Sequence, residues 1–227
     1  MILLLLLLFA TTSAQESELT FEEYFYHGKV AYTDQEWSDC IGFMRRAVED
    51  FRFYEDESYD CRKKCSERVA VSTTVDSISS WHMHSQRALC ILKCKQNRFG
   101  ENRSGIKKMS TVFDLMERRP YQYMHICYWN NNDLANAVKS SYTYLVANPE
   151  DQDAIGSLNF YMEQEGFEDS MLVDLEIRDH EVKFMEGVKA YDEEEWSQCV
   201  NHFEAAIGKA LGLEDRFVLC TFLKLTG

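Results

Sequence analysis

The sequence predicts an all-α fold in which helical hairpins stack into an α-solenoid. The main observation is an internal repeat: the pattern Gly-x-x-Ala-Tyr-x-x-x-Glu-Trp-Ser-x-Cys begins at Gly28 and again at Gly187. Small residues flanked by bulky ones at this spacing are typical of two antiparallel helices in close contact. The chain has only 2 prolines, which permits long helices, and its 13% aromatic content argues against disorder. Stacked hairpins of this kind usually bind other chains.

Residues 1–14 have the character of a secretory signal peptide. Ile2 to Phe9 is an unbroken apolar run, much shorter than the about 20 residues that span a bilayer. Thr12 and Ala14 supply the small residues that suit signal peptidase. We therefore expect cleavage after Ala14 and one helical-repeat domain over residues 15–227. No later segment is long and apolar enough to predict a membrane span, so we expect a lumenal or secreted protein.

The first predicted hairpin covers residues 21–54, and an apolar stripe defines its second helix. Apolar side chains recur every three or four positions, at Trp37, Ile41, Met44, Val48 and Phe51. This spacing places them on one face of a helix. The preceding helix is expected to end near Tyr32, with only a short turn between the two.

Four cysteines lie on the next two predicted helices, over residues 57–69 and 81–97. Cys61 and Cys65 share one helix face, as do Cys90 and Cys94, because each pair is four residues apart. An antiparallel arrangement sets Cys61 opposite Cys94 and Cys65 opposite Cys90, and we predict those two disulfides. Pairing within each helix and a four-thiolate zinc site remain alternatives.

The other cysteines are interpreted as unpaired. Cys40, Cys127 and Cys199 occupy apolar helix positions, where we expect burial as small apolar residues, and Cys220 has no cysteine four residues away. Eight cysteines behind a signal peptide indicate an oxidising compartment. The triplet that starts at Asn102 is an acceptor for N-linked sugar on an expected polar connector.

Two further hairpins are predicted over residues 118–151 and 180–212. Pro120 opens the middle one, and Asn148-Pro149 closes it because proline interrupts a helix. The last one repeats the apolar stripe of the first, and Trp196 stands at the position equivalent to Trp37. Between them we expect a helix over 151–166 and an acidic connector. These hairpins resemble the tetratricopeptide repeat, with an unrelated helical bundle as the alternative.

Several segments together resemble the leprecan family. They are 59–65 and 89–94 with the paired cysteines, 119–123, 148–151, 159–161 and 187–195. The resemblance implies a cysteine-bridged helical protein of the endoplasmic reticulum that acts on collagen. Its implied partners are procollagen or other proline-rich chains, a prolyl 3-hydroxylase and a prolyl isomerase. The family has a further C-x-x-x-C pair after the last hairpin, where this chain has only Cys220, so a truncated form of a longer member remains open.

The sequence predicts neither a catalytic residue, nor a metal site, nor a cofactor. Prolyl hydroxylation needs iron(II) held by two histidines and a carboxylate. The only His-x-acid motif, His202-Phe203-Glu204, lies inside a predicted helix and no histidine follows it. His82 and His84 are interpreted as solvated residues near a helix start. A net charge of −14 disfavours nucleic acid and anionic membranes as partners.

We expect instead a peptide-binding groove lined by aromatic residues of the first helices of the hairpins. By repeat offset its members are Phe25, Tyr32, Trp129, Phe184 and Tyr191. Aromatic surfaces suit proline-rich chains, which are preordered and present flat rings. Packing in the hairpin core is the alternative interpretation.

The leading hypothesis is a non-catalytic scaffold of the collagen prolyl 3-hydroxylation machinery. The alternatives are a substrate-presenting part of a prolyl 3-hydroxylase and a secreted adaptor unrelated to collagen.

Overall fold

The structure, a computed structural model, describes residues 19–69, 77–103 and 108–224. Over these ranges it contains nine α-helices, one short 3-10 helix and no β-strand, so the all-α prediction is confirmed. The proposed signal peptide and the side chains of Asn102 and Cys220 lie outside what the structure describes. None of the described helices is long and apolar enough to cross a membrane.

The helices follow one another with short connections. In chain order they are α1 (Phe21–Thr33), α2 (Trp37–Arg68), α3 (Ser77–Arg103), α4 (Met109–Met116), α5 (Arg119–Asn130), α6 (Leu134–Ala147), α7 (Gln152–Met162), α8 (Asp179–Asp192) and α9 (Trp196–Lys224), with the 3-10 helix at Asp169–Met171. The pairs α1–α2, α5–α6 and α8–α9 form hairpins, α5 packs on α2, and α7 packs on α6. Each hairpin thus consists of two consecutive helices joined by a short turn.

Each outer hairpin closes over its repeated glycine. A Cβ atom added to Gly28 would lie 2.9 Å from the side chain of Met44, and one added to Gly187 would lie 2.9 Å from the ring of Phe203. The glycine is thus the point where the two helices touch. This contact is the physical reason for the repeated Gly-x-x-Ala pattern.

The turns of the three hairpins share one backbone conformation. Gln35, Asn132 and Glu194 each adopt a left-handed conformation, with φ of 63°, 59° and 60°. Each stands at the same offset within its repeat. A non-glycine residue in this region costs about 1 kcal/mol or more, so its recurrence shows that the turn geometry belongs to the repeat.

Helix α2 is longer than the sequence suggested, because the two separate segments predicted there are one helix of 32 residues. Its second half carries α3 through two disulfides. Cys61 is bonded to Cys94 and Cys65 to Cys90, with Cα–Cα distances of 5.7 and 5.8 Å. These are the inter-helix pairs predicted above, and they engage the four sulfurs that pairing within a helix or a zinc site would need.

A third disulfide, which the sequence did not predict, joins Cys40 of α2 to Cys127 of α5. Both cysteines are fully buried, as expected, but the expectation that they are unpaired is wrong. They are 87 residues apart and lie in different hairpins. Only the stacking of α5 on α2 brings them together, and no spacing rule within one helix reveals that. Among the described cysteines Cys199 is free and buried.

The core consists of two clusters of buried apolar side chains. The larger one is formed by α1, α2 and α4 to α7 and includes Phe21, Met44 and Tyr121. The smaller one joins α6 and α7 to the segment that follows them, and includes Val138 and Leu158. The stacking of hairpins therefore supplies the core.

The acidic connector before α8 is anchored by one ion pair to α2 and by another to the start of α5. The Arg118 guanidinium donates to the Asp174 carboxylate at 3.0 Å and to the Thr143 carbonyl at 2.9 Å. The Arg52 guanidinium lies 2.6 Å from Glu176, and the Tyr121 hydroxyl donates to the same carboxylate at 2.6 Å. Burial, and then the contact with the Glu176 carboxylate, raise the pKa of Tyr121. Two acids of the connector are therefore structural.

Candidate peptide-binding surface

The five aromatic residues predicted to line a groove do not lie in one place. Phe25 is 2% exposed and belongs to the larger core cluster, where its ring lies 6.1 Å from that of Tyr123. It is not accessible to a ligand, so the prediction is wrong for this residue. The reason is that α5 covers this part of α1, and a single hairpin pattern does not show what lies on top of it.

Tyr32 and Trp129 lie on a row of aromatic rings that crosses α1, α5 and α7. The Tyr32 ring lies 5.2 Å from that of Tyr123, and the Trp129 ring lies 5.2 Å from Phe160 and 5.4 Å from Tyr161. Burial, and then the nearby Tyr32 hydroxyl, raise the pKa of Tyr161 to about 12. The Tyr32 hydroxyl thus acts electrostatically on that of Tyr161, and we call Tyr32, Tyr123, Trp129, Phe160 and Tyr161 the inner aromatic row.

Sequence reasoning missed three members of this row, Tyr123, Phe160 and Tyr161. Two of them lie on α7, which the repeat pattern did not include among the hairpin helices. The three residues lie in the segments 119–123 and 159–161, both of which carry the family resemblance. Their recurrent aromatic residues were the signal that could have identified them.

The row has a buried base and an accessible edge. Tyr161 is 4% exposed, whereas Phe160 is 46% exposed and the neighbouring Met162 on the same helix is also exposed. The rings of Trp129 and Phe160 meet at 83°, in edge-to-face contact. Such an arrangement leaves an aromatic face open for a flat apolar group, such as a proline ring.

A buried histidine supports the row from beneath. His125 is 3% exposed, and its Nδ1 lies 3.0 Å from the Tyr161 hydroxyl. Burial lowers the pKa of His125 to about 4. The imidazole is therefore neutral near pH 7 and can pair with the hydroxyl without a buried charge. Its contribution is to hold Tyr161, and through it Trp129, in place.

The remaining two predicted residues lie on the last hairpin. Phe184 and Tyr191 are on α8, and they are 53% and 57% exposed. The Phe184 ring contacts Phe203 and the Tyr191 ring contacts Trp196, both on α9. The ring contacts of the inner aromatic row do not extend to them. Of the five predicted residues, two thus join the row, one is in the core, and two form a separate exposed surface.

One histidine of the described residues forms an ion pair, and no histidines and acids there make a cluster that would hold a metal ion. His202, in the His-x-acid motif, lies 3.0 Å from Glu186 across the last hairpin. No group of three or more histidine, cysteine or acidic side chains suited to a metal ion occurs in the described ranges. His82 and His84 are exposed on α3.

Comparison with known proteins identifies the family. A family described as the leprecan family TPR-like repeat region matches residues 20–220. The chain belongs to the leprecan family. It is 26% identical to mouse cartilage-associated protein over 191 residues, covering 82% of this chain and 47% of that protein. It is 30% identical to chicken prolyl 3-hydroxylase 1 over 189 residues, covering 81% of this chain and 26% of that protein.

The leprecan match covers nearly all of the described helices. The inner aromatic row, the three disulfides and the last hairpin all lie inside it. The chain spans about half the length of the mammalian cartilage-associated proteins it matches and about a quarter of the prolyl 3-hydroxylases. The comparison therefore supports the helical-repeat region, and the tetratricopeptide-like interpretation is confirmed.

Proposed function

We propose that this leprecan chain is a non-catalytic scaffold that holds a proline-rich chain for the collagen prolyl 3-hydroxylation machinery. Its client would be unfolded procollagen, in the lumen of the endoplasmic reticulum or after secretion. The observation that carries the proposal is the inner aromatic row, with a buried base and an exposed Phe160. The match with the family of the prolyl 3-hydroxylases supports the choice of client.

The physical reason is the shape of the proposed ligand. A proline-rich chain forms a polyproline II helix with three residues per turn and a rise of about 3.1 Å per residue. It presents flat apolar rings along one edge and loses little conformational entropy on binding. Rings held rigidly by His125 and the neighbouring core provide a matching surface without reorganisation.

The proposed protein partners are a prolyl 3-hydroxylase and a prolyl isomerase. The scaffold would position the client for them and would itself need no metal or cofactor. The net charge of −14 would attract basic segments of a client or partner and would raise the rate of encounter at low salt.

A second candidate is the substrate-presenting region of a prolyl 3-hydroxylase. The identity to chicken prolyl 3-hydroxylase 1, at 30%, exceeds the 26% identity to mouse cartilage-associated protein. In that case the same surface would present the client to an iron-dependent domain of the same polypeptide. The role of the inner aromatic row would be unchanged.

The experiment is a titration of a fluorescent single-chain proline-rich peptide with the purified chain, followed by anisotropy. Phe160→Ala should weaken binding about tenfold, since removal of one stacked aromatic face costs about 1–1.5 kcal/mol. Phe160→Tyr keeps the ring and should bind like the original chain. Trp81→Ala is the matched control, because Trp81 is 76% exposed on α3, outside the row. Equal affinities of the Phe160→Ala variant and the original chain would refute the proposed surface.

A further inference from the structure

The last hairpin repeats the first, but the surface that is covered in the first is open in the last. Phe25 is 2% exposed and its counterpart Phe184 is 53% exposed. Trp37 is half-buried, whereas its counterpart Trp196 is 57% exposed. The same change applies to three more pairs, which are Tyr32 and Tyr191, Ile41 and Val200, and Val48 and Ile207. One face of α8–α9 thus exposes apolar positions that the fold elsewhere buries.

A groove of about 390 Å³ runs along this face between α8 and α9. Its lining includes His180, Phe184, Ile207 and Ala210. In the first hairpin the positions of His180 and Ala210 are occupied by phenylalanines whose rings lie 5.3 Å apart and fill the corresponding space. The smaller residues in the last hairpin leave room for a large apolar side chain supplied from outside.

The first hairpin shows what kind of element covers this face. There α5 lies on the surface and contributes Tyr123 against Tyr32 and a disulfide from Cys127 to Cys40. At its end the Asn131 amide donates to the Ser38 hydroxyl at 3.2 Å. The two anchoring residues of α5 are four apart and so share one helix face.

The last hairpin retains the groups that received these contacts. Three residues are identical at equivalent positions of the two hairpins. Tyr191 corresponds to Tyr32, Ser197 to Ser38 and Cys199 to Cys40. Cys199 is free and 6% exposed, so its thiol lies in the interface position with no sulfur opposite it. The last hairpin therefore has the same three contact residues as the first, but no described helix covers them. This difference is the central observation.

One charge differs between the two faces and indicates the partner's chemistry. In the first hairpin the positive charge of Arg45 acts on the Tyr128 hydroxyl of the covering helix, where it partly offsets the rise in the pKa of Tyr128 that burial causes. Glu204 stands at that position in the last hairpin and is exposed. A basic residue on the covering helix would complement it, in place of a tyrosine.

We infer that the α8–α9 face binds an amphipathic helix of a partner protein that is built like α5. That helix carries an aromatic residue, a cysteine or another small residue four positions later, and a lysine or arginine facing Glu204. The inference rests on the proposed scaffold function and specifies its protein partner, whereas the inner aromatic row would hold the client. The two surfaces are on different helices and can be tested separately.

The test uses the full chain and a helix-constrained synthetic peptide with the sequence of residues 119–130. The peptide cysteine is supplied as its mixed disulfide with thionitrobenzoate. The Cys199 thiolate attacks the peptide sulfur, a new disulfide forms, and thionitrobenzoate leaves as a coloured thiolate, so no other oxidant is needed. Docking should make this reaction about tenfold faster than with a scrambled peptide, because it raises the effective concentration of the two sulfurs.

Matched variants make the result specific to the face. Val200→Lys places a charge on an apolar position that is 54% exposed, and it should remove the acceleration. Asn201→Lys is the control, since a Cβ atom added at the equivalent Gly42 has nothing within 4 Å even in the covered hairpin. Cys199→Ser should abolish capture. A peptide with lysine at the Tyr128 position should react faster than the original, and an unchanged rate would overturn the role of Glu204.

Other outcomes would overturn the inference. Equal rates for the helical and scrambled peptides would show that the face does not select a helix. Capture that persists in Cys199→Ser would place the reaction elsewhere. A dimer in sedimentation that Val200→Lys abolishes would show that a second copy covers the face. Binding of the proline-rich peptide should be the same in Val200→Lys and the original chain, so failure of the scaffold function is measured independently.

Discussion

Single residues at the helix crossings set how closely the hairpins pack. Gly28 and Gly187 have no room for a Cβ atom, and Met44 and Phe203 fill the space opposite them. Gly42, on the outer side of α2, has nothing within 4 Å of its added Cβ. The two kinds of glycine therefore respond to substitution in opposite directions.

Gly28→Ala should destabilise the chain by about 1–3 kcal/mol, because the added methyl group overpacks a buried contact. Gly42→Ala should stabilise it by about 0.5–1 kcal/mol, through better helix propensity alone. Urea unfolding followed by circular dichroism measures both. A Gly28→Ala variant as stable as Gly42→Ala would show that the helices can separate at no cost.

Protonation of His125 should make stability depend on pH below neutrality. The folded pKa is about 4 and the ordinary value is 6.5, so between these values the unfolded chain takes up a proton that the folded chain does not. This contribution is therefore fully present above about pH 6.5 and declines as the pH falls toward 4. The loss should be roughly 3 kcal/mol at most.

The measurement compares unfolding free energies of the original chain and His125→Gln across this pH range. His125→Gln should be less stable at pH 7 but should lack this component of the pH dependence. His27→Gln is the control, because His27 is exposed on α1 and should leave the slope unchanged. Parallel pH profiles for the original chain and His125→Gln would contradict the assignment.

At the scale of elements, covalent and ionic links join hairpins that are distant in sequence. The Cys40–Cys127 disulfide connects the first hairpin to the second, and the other two disulfides both connect α2 to α3. Arg118 and Asp174 connect the start of α5 to the segment before α8. These links are not equivalent. The two disulfides between α2 and α3 can replace each other, whereas Cys40–Cys127 is the one described disulfide between the first and second hairpins.

Replacing Cys40 and Cys127 by serine should cost about 2–4 kcal/mol. The loop has 87 residues, although the two other disulfides lie inside it and already restrict the unfolded chain. Replacing Cys61 and Cys94 by serine should cost less, since Cys65–Cys90 still joins the same helices. Thermal unfolding under non-reducing conditions compares them, and a larger loss from the second pair would contradict this ranking.

Asp174→Asn should destabilise the chain by about 3 kcal/mol, because it leaves the largely buried Arg118 guanidinium without its counter-charge. The side chains are 18% and 11% exposed. Glu193→Gln removes the exposed pair with Lys189 and should change stability by less than about 1 kcal/mol. Denaturant titration measures the free energy of unfolding of both variants. Equal losses of stability would show that the Arg118–Asp174 pair does not anchor the connector.

At the scale of the whole molecule, the sequence predicted the hairpins because their signals are local. The glycine contacts, the apolar stripe of α2 and the paired cysteines all depend on spacing within one or two helices. The bond from Cys40 to Cys127 and the burial of Phe25 depend on how one hairpin stacks on the next, which spacing does not encode. The candidate surface was predicted only in part for the same reason, since α7 completes it from outside the repeat pattern.

The molecule has two separate surfaces, and each is suited to a different kind of ligand. The inner aromatic row lies on α1, α5 and α7, and the open apolar face lies on α8 and α9. One would hold a proline-rich client and the other a helical partner. A scaffold needs two separate surfaces of this kind, and the helical repeat provides them on different hairpins.

Site-specific photo-crosslinking in secretory cells tests the central claim most directly. A photoreactive phenylalanine analogue replaces Phe160, or Trp81 as the control, and the captured chains are identified by mass spectrometry. Position 160 should capture proline-rich segments of unfolded procollagen, and position 81 should not. Capture of no proline-rich chain at position 160, or equal capture at both positions, would contradict the central claim.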